Sequence, residues 1–202
     1  MSDDMAREPQ DRRERILNSA AALFARKGVA ATTVREIADE VGILSGSLYH
    51  HFESKEAIVD EVVSSYLEDL RARYKQVLAG EADPRTRLHD LVVASLEVVE
   101  AHPHATEIYQ NDVNYLSQFE RFAYLKNAGK EVQASWLDVI NAGIAQGAFR
   151  SDLDAKILYR LMRDAVWLSV RWFKPTRDYP ISRLAEDCTS LFIDGLARNP
   201  KG

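Results

Sequence analysis

The sequence predicts an all-α protein of about nine helices, and three observations carry that expectation. Apolar residues recur at three- and four-residue spacing through most of the 202-residue chain, the mark of amphipathic helices. No segment shows the apolar–polar alternation of a strand bounded by turns, and no internal repeat is present. Glycines and prolines at Gly28, Gly42, Gly80, Pro84, Gly147, Pro175 and Pro180 fall between the periodic segments, where they punctuate helices.

A polar lead-in over residues 1–8 precedes a first helix from about Pro9, tolerated in an opening turn, to Lys27. Ile16, Ala20, Leu23 and Phe24 form its apolar stripe, and Gly28 ends it. The second helix starts at Thr32 or Thr33, with Thr32 as the expected cap, and ends at Gly42. Val34, Ile37, Ala38 and Val41 are its buried face, and Ile43 packs the turn shut. A third helix opens near Ser45 and turns Leu48 and Phe52 inward. Its other face is Ser45, Ser47, Tyr49, His50 and His51, all hydrogen-bonding groups, with no carboxylate between Val41 and Phe52. Two short helices at a steep angle around a glycine turn form a helix-turn-helix, whose second helix can enter a DNA major groove. The core of this three-helix unit is expected to be Ile16, Leu23, Phe24, Val34, Ile37, Ala38, Leu48 and Phe52.

Ser54 reads as the cap of a fourth helix, Lys55 to Leu78, long enough to span about 35 Å and act as a rigid link. Residues 80–84 then mark a boundary. Further helices are expected from Thr86 to His102, where Pro103 breaks the run, from His104 to Leu116, and from Phe119 to Gln146 around Trp136. Asp152 is the expected cap of a helix from Leu153 to Phe173, and a last one runs from Ser182 to Arg198.

At these residues a resemblance emerges. The run Gly28 to Ala38, then Leu48-Tyr49-His50-His51-Phe52 followed by Ser54-Lys55, closely resembles the DNA-binding domain of the TetR family of transcriptional repressors. The resemblance implies a helix-turn-helix domain over residues 9–54 and a ligand-binding and dimerisation domain over 55–202, with 55–78 as the linking helix. It also implies a homodimer on a palindromic operator in double-stranded DNA, released by a small-molecule effector. Phosphate positioning then falls to Thr33, Arg35, Tyr49, His51 and Lys55, while Ser45, Gly46, Ser47, Leu48 and His50 lie on or beside the groove-facing surface. Hydroxyls and a histidine in place of Arg or Asn make base reading thin.

The composition qualifies this. A net charge of −5 is unusual for a DNA binder, since neutralised phosphates supply much of the affinity. The relevant bases are local: Arg12, Arg13, Arg15, Arg26, Lys27, Arg35 and Lys55. No apolar run approaches the roughly 20 residues of a membrane span. The single thiol, Cys188, reads as packing, and one cysteine fits a reducing cytoplasm.

On the last expected helix, Leu184, Cys188, Leu191, Phe192 and Gly195 lie on one wide stripe with Ala185 and Leu196. That stripe is either intrachain core or half of a two-fold four-helix interface, and the family resemblance favours the interface. On the helix before it, Tyr159, Arg163, Trp167 and Arg171 recur every four residues. Spacing alone leaves two readings open. One is a solvent stripe with arginines stacked on Trp167 and an Arg160–Asp164 pair; the other is a ligand cavity.

Residues 43–52, Ile108-Tyr109-Gln110 and Arg163-Asp164 through Val170-Arg171-Trp172 together are similar to the KstR-type repressors of actinobacterial steroid catabolism. That similarity implies an acyl-CoA-like effector, a coenzyme A thioester from the last steroid rings, with Tyr109, Arg163, Trp167 and Arg171 as ligand residues. A regulator of another acyl-CoA or lipid pathway, or an effector-independent DNA binder, remains the alternative. No glycine-rich phosphate loop, nucleophile elbow or paired base is present, so no cofactor, metal or catalytic residue is expected. His102, His104 and Glu107 are the one cluster of metal-ligand types, and Pro103 disrupts any shared face.

Overall fold

The computed structural model describes residues 2–196, with side chains from 12 to 195, and holds nine α-helices and no strand among the described residues. The helices are α1 (Ser2–Lys27), α2 (Val34–Val41), α3 (Ser45–Leu48), α4 (Lys55–Ala79), α5 (Pro84–Ala101), α6 (Pro103–Leu116), α7 (Tyr124–Ala145), α8 (Ala155–Trp167) and α9 (Ile181–Leu196). Short 3-10 turns precede α7 (Glu120–Phe122) and follow α8 (Leu168–Arg171). The chain forms two compact units, Met1–Tyr66 with His104–Tyr124, and Leu67–Pro103 with Leu125–Gly202. The division falls inside α4 and places α6 with the N-terminal helices.

In the first unit the expected core is present: Ile16, Leu23, Phe24, Ile37, Ala38, Leu48 and Phe52 are buried, while Val34 is only half-buried. The cap of α2 is Thr33, not Thr32. The Thr32 hydroxyl is buried and donates to the Gly28 carbonyl at 2.8 Å, so it has no reach to α2. Thr33 is extended and makes a capping box: the Glu36 N–H donates to its hydroxyl, and its own N–H donates to the Glu36 carboxylate at 2.9 Å. Gly42 ends α2 at φ 76, a left-handed conformation that glycine adopts without steric cost, and Ile43 N–H closes on the Ala38 carbonyl.

In the second unit α9 packs on α5 and α8, and α8 on α5. Its core holds Trp136, Tyr159 and Trp167, with Trp136 5.8 Å from Trp167 and 6.3 Å from Tyr159 between ring centroids. The polar atoms there are satisfied in series. Ser95 Oγ donates to the Leu91 carbonyl, so the Tyr74 hydroxyl donates to Ser95 (2.6 Å) and accepts the Trp136 indole N–H (2.7 Å).

Further expected boundaries shift: α1 begins at Ser2 rather than Pro9, and the helix expected from Phe119 begins at Tyr124 after its 3-10 turn. Asp154 rather than Asp152 caps α8, accepting the Lys156 and Ile157 N–H groups. Asp152 is held by the fork of the Arg150 guanidinium, which lowers its carboxyl to about 2 and leaves it no freedom to cap. The helix expected to reach Phe173 ends at Trp167 and tightens to a 3-10 turn, where Ser169 Oγ bonds back to the Val166 carbonyl. Of the last expected helix, residues 197 and 198 lie outside the described residues.

Candidate functional site: a nucleic-acid interface and the α8 face

The surface around α3 is assembled from three places. Arg35 projects from α2 with its side chain 86% exposed, and it makes a loose ion pair to Asp39 at 3.8 Å. Leu44 (81% exposed) and Tyr49 (54% exposed) flank α3, and His50 is exposed beside them. Ser45 and Ser47 are half-buried, Gly46 is exposed, and His51 is half-buried in the following turn. Leu48, which the sequence reading set beside the groove-facing surface, is wholly buried and anchors α3 from beneath. Four residues cannot sustain a helix on their own hydrogen bonds, so this anchor and the Gly42 turn hold it.

Lys55 is placed differently from the expectation of a phosphate contact. Its ammonium donates to the Val29 and Thr32 carbonyls at 2.8 and 2.9 Å, tying the start of α4 to the loop before α2. Around it the unit is cross-braced. Arg13 pairs with Glu61 and lies 4.5 Å over the Phe52 ring. Arg121 bonds Glu53 and Asp60, Tyr124 donates to Asp60 at 2.9 Å, and the Val29 N–H donates to Asp112 at 3.3 Å. Lys27 bonds Glu36 and, with Thr33, lowers that carboxyl to about 2, so the acid nearest the α2 start is ion-paired. Partial burial raises Asp112 despite the Val29 N–H.

Sequence reading missed the bonds of Arg13, Arg121, Tyr124 and Asp112 because their partners are 48 to 83 residues apart. It also passed over Leu44 as a surface residue. The available signal was an apolar side chain directly before the α3 hydroxyls with no helical-period partner.

The expected ligand residues differ in exposure and setting. Trp167 is 2% exposed and stacked in the core; Arg163 is half-buried, and its guanidinium bonds Asp164 rather than leaving that acid to Arg160. Arg171 lies in the 3-10 turn, out of register with α8, and is exposed. Tyr109 belongs to the first unit, its ring 5.7 Å from Tyr66. Of the expected dimer stripe, Leu184 is buried, Cys188 and Phe192 are half-buried, and Gly195 and Leu191 are exposed, Leu191 by 74%. Burial raises the Cys188 thiol, with Asp187 adding to the shift. No group of three or more metal-ligating side chains occurs among the described residues; His102 bonds Asp69 at 3.2 Å. No helix is long and apolar enough to cross a membrane among the described residues.

Residues 16–62, which hold this surface, match the family of bacterial regulatory proteins of the tetR type. Residues 81–196 match the tetracyclin repressor-like C-terminal domain. The chain belongs to the TetR family of DNA-binding transcriptional regulators. It is 45% identical to the transcriptional repressor KstR2 of Rhodococcus jostii over 92% of this chain and 91% of that one. The structure of the ketosteroid transcriptional regulator KstR2 of Mycobacterium tuberculosis superposes with a TM-score of 0.87 at 42% identity, covering 93% of this chain and 96% of that one. AibR, solved with isovaleryl coenzyme A and operator DNA, shares the fold at TM-score 0.76 and 20% identity, over 89% of this chain and 97% of that one. The KstR2 relatives are transcriptional repressors, not enzymes.

Proposed function

We propose that the chain is a cytoplasmic, effector-responsive repressor that binds a palindromic operator as a homodimer and releases it when a coenzyme A thioester of a steroid ring-degradation intermediate binds. The observation that carries this reading is the 45% identity to a KstR2 repressor along almost the whole chain, α8 included. In a dimer, two copies of the α3 surface address major grooves about 34–36 Å apart. Thr33, Arg35, Tyr49 and His51 meet phosphates, and Ser45, Gly46, Ser47 and His50 face the groove, with Leu48 holding α3 in place. Lys55 serves the interface indirectly through its two carbonyl bonds.

The dimer forms through α8 and α9, which expose Ile157, Leu161 and Leu191. Exposed apolar side chains of that size on adjacent helices are the ordinary sign of an association surface. Residues 9–54 act as the DNA-binding domain and 55–202 as the effector and dimer domain, with α4 carrying residues of both. Arg163 and Arg171 meet oxygens of the thioester, and Tyr109 stays in the ligand set by resemblance. Trp167 is buried, so ligand contact with it requires α8 to shift. Binding that favours the shifted state lowers operator affinity by its differential affinity for that state.

The test is fluorescence anisotropy of operator DNA with a panel of CoA thioesters. A thioester of a bicyclic steroid-derived propanoate is expected to release the DNA, and free coenzyme A is not. Release by a short branched acyl-CoA instead, of the kind found with AibR, would reassign the pathway. No release by any thioester would leave an effector-independent repressor.

A further inference from the structure

Leu44 carries the most exposed large apolar side chain among the described residues, 81% open to solvent. Its backbone is nonetheless fixed on both sides. The Ile43 N–H donates to the Ala38 carbonyl at 2.9 Å, and the Leu44 carbonyl accepts the Ser47 N–H at 2.8 Å. With an extended backbone at φ −71 and ψ 143, Leu44 leaves the Gly42 turn in a set direction and opens α3. Nothing inside the chain favours leucine there. It stands where a serine, threonine or aspartate would cap the helix, and it makes no side-chain cap bond. Both the cap and the gain from burying a leucine are forgone.

Gly46, two residues on and inside α3, is unexplained in the same way. Positive φ among the described glycines belongs to Gly28, Gly42 and Gly147, and not to Gly46. A Cβ on Gly46 would meet nothing within 4 Å. Neither its backbone nor its packing calls for glycine, which weakens a helix relative to alanine. An exposed leucine and an unrequired glycine at the start of one helix both make sense if a body outside the chain comes close to it.

We propose that Leu44 is a base-reading residue: its side chain packs on the 5-methyl group of a thymine in each operator half-site, and Gly46 leaves the clearance for that base edge to approach the α3 backbone. This role rests on the reading of α3 as the groove-facing helix of a DNA-binding dimer. Thymine presents a methyl in the major groove, where apolar side chains contact it; the other three bases present donors and acceptors there and no methyl. No carboxylate lies between Val41 and Phe52 to repel the duplex. The contact gives discrimination to a helix whose polar groups, Ser45, Ser47 and His50, include no bidentate fork.

A duplex bound by the full-length protein is first selected from a random-sequence library. Its thymines are then replaced, in symmetric pairs, by deoxyuridine, which deletes the methyl and keeps the hydrogen-bonding edge. Fluorescence anisotropy compares wild type, Leu44→Ala, Leu44→Ser and Gly46→Leu. Replacement of one thymine pair is expected to weaken wild type about tenfold, the worth of two buried methyl groups. Leu44→Ala binds the thymine site about tenfold or more weakly and no longer distinguishes it from the deoxyuridine site, so the two losses do not add. Leu44→Ser behaves like Leu44→Ala on DNA yet melts no lower than wild type, since it restores a cap oxygen. Gly46→Leu also melts no lower, having open space around it, but weakens binding to both duplexes alike.

Failure of the library to yield any bound sequence overturns the DNA-binding reading and the role of Leu44 with it. A selected site indifferent to deoxyuridine at every thymine, or a methyl dependence that survives in Leu44→Ala, overturns the role of Leu44 and spares the repressor reading. Full binding by Gly46→Leu overturns the clearance given to Gly46. A Leu44→Ala protein whose oligomeric state changes in light scattering while its base preference does not assigns Leu44 to a contact between copies, and overturns base reading.

Discussion

Leu48 and Trp136 are both wholly buried, yet they are anchors of different kinds. Leu48 is the one buried residue of a four-residue helix, and its neighbours Leu44, Tyr49 and His50 are all exposed. The region around it is fastened by capping bonds and ion pairs at its edges: Thr33 with Glu36, Lys27 with Glu36, Lys55 with two carbonyls, Arg13 with Glu61. Trp136 instead sits between long helices, packed on Tyr159 and Trp167 and bonded through Tyr74 to Ser95. A surface that must meet a partner keeps its chemistry outside and its supports peripheral. A module that must hold its shape invests in aromatic contact and a closed polar series.

That contrast can be broken from either side. The largest effect on stability is expected from Trp136→Ala, which removes the aromatic centre and the indole N–H that the Tyr74 hydroxyl accepts. It should cost about 3–5 kcal/mol in urea denaturation. Gly143→Ala comes next, because a Cβ there would sit 2.1 Å from the Phe149 ring, which is itself buried after the Gly147 turn. Overpacking of this sort costs about 1–3 kcal/mol, read from the same denaturation curve. In the other unit, Thr33→Ala removes only a cap and is expected to cost about 1 kcal/mol.

Acid sharpens the same point. The Glu36 carboxyl is held near 2, first by Lys27 and then by Thr33, against an ordinary value of 4.5. A depressed folded value stabilises fully above the ordinary range and is lost as pH falls toward 2. The gap in melting temperature between wild type and Glu36→Gln should therefore shrink below about pH 4.5 and close near pH 2. The smallest change in stability, within about 0.5 kcal/mol, is expected from Tyr49→Ala, since its ring is half exposed and supports nothing beneath it. Operator affinity measured on that variant should still fall by about tenfold or more. A Tyr49→Ala protein that melts early, or that keeps full operator affinity, would erase the distinction between surface and support.

Much of the DNA-binding unit was legible in order. Gly42 announced a helix end because only a left-handed residue closes that turn, and the spacing of Val34, Ile37, Ala38 and Val41 marked the face that turns inward. The cap was misjudged by one residue, since sequence cannot say which of two adjacent threonines is already spent on a carbonyl behind it. Asp152 was misjudged for the same reason: Arg150 claims it first. At α8, a period of four over Tyr159, Arg163, Trp167 and Arg171 suited a helix that in fact ends at Trp167. Periodicity reports which residues share a face. It does not report whether that face meets core, solvent or ligand.

The sequence by itself determined an all-helical chain, a helix-turn-helix near its start and the side chains that turn inward there, because backbone spacing and glycine conformation are local properties. Tertiary structure decided that Lys55 serves carbonyls and that Trp167 stacks on Trp136. Those outcomes depend on which helix faces meet across gaps of tens of residues in the chain, and no local spacing encodes that pairing.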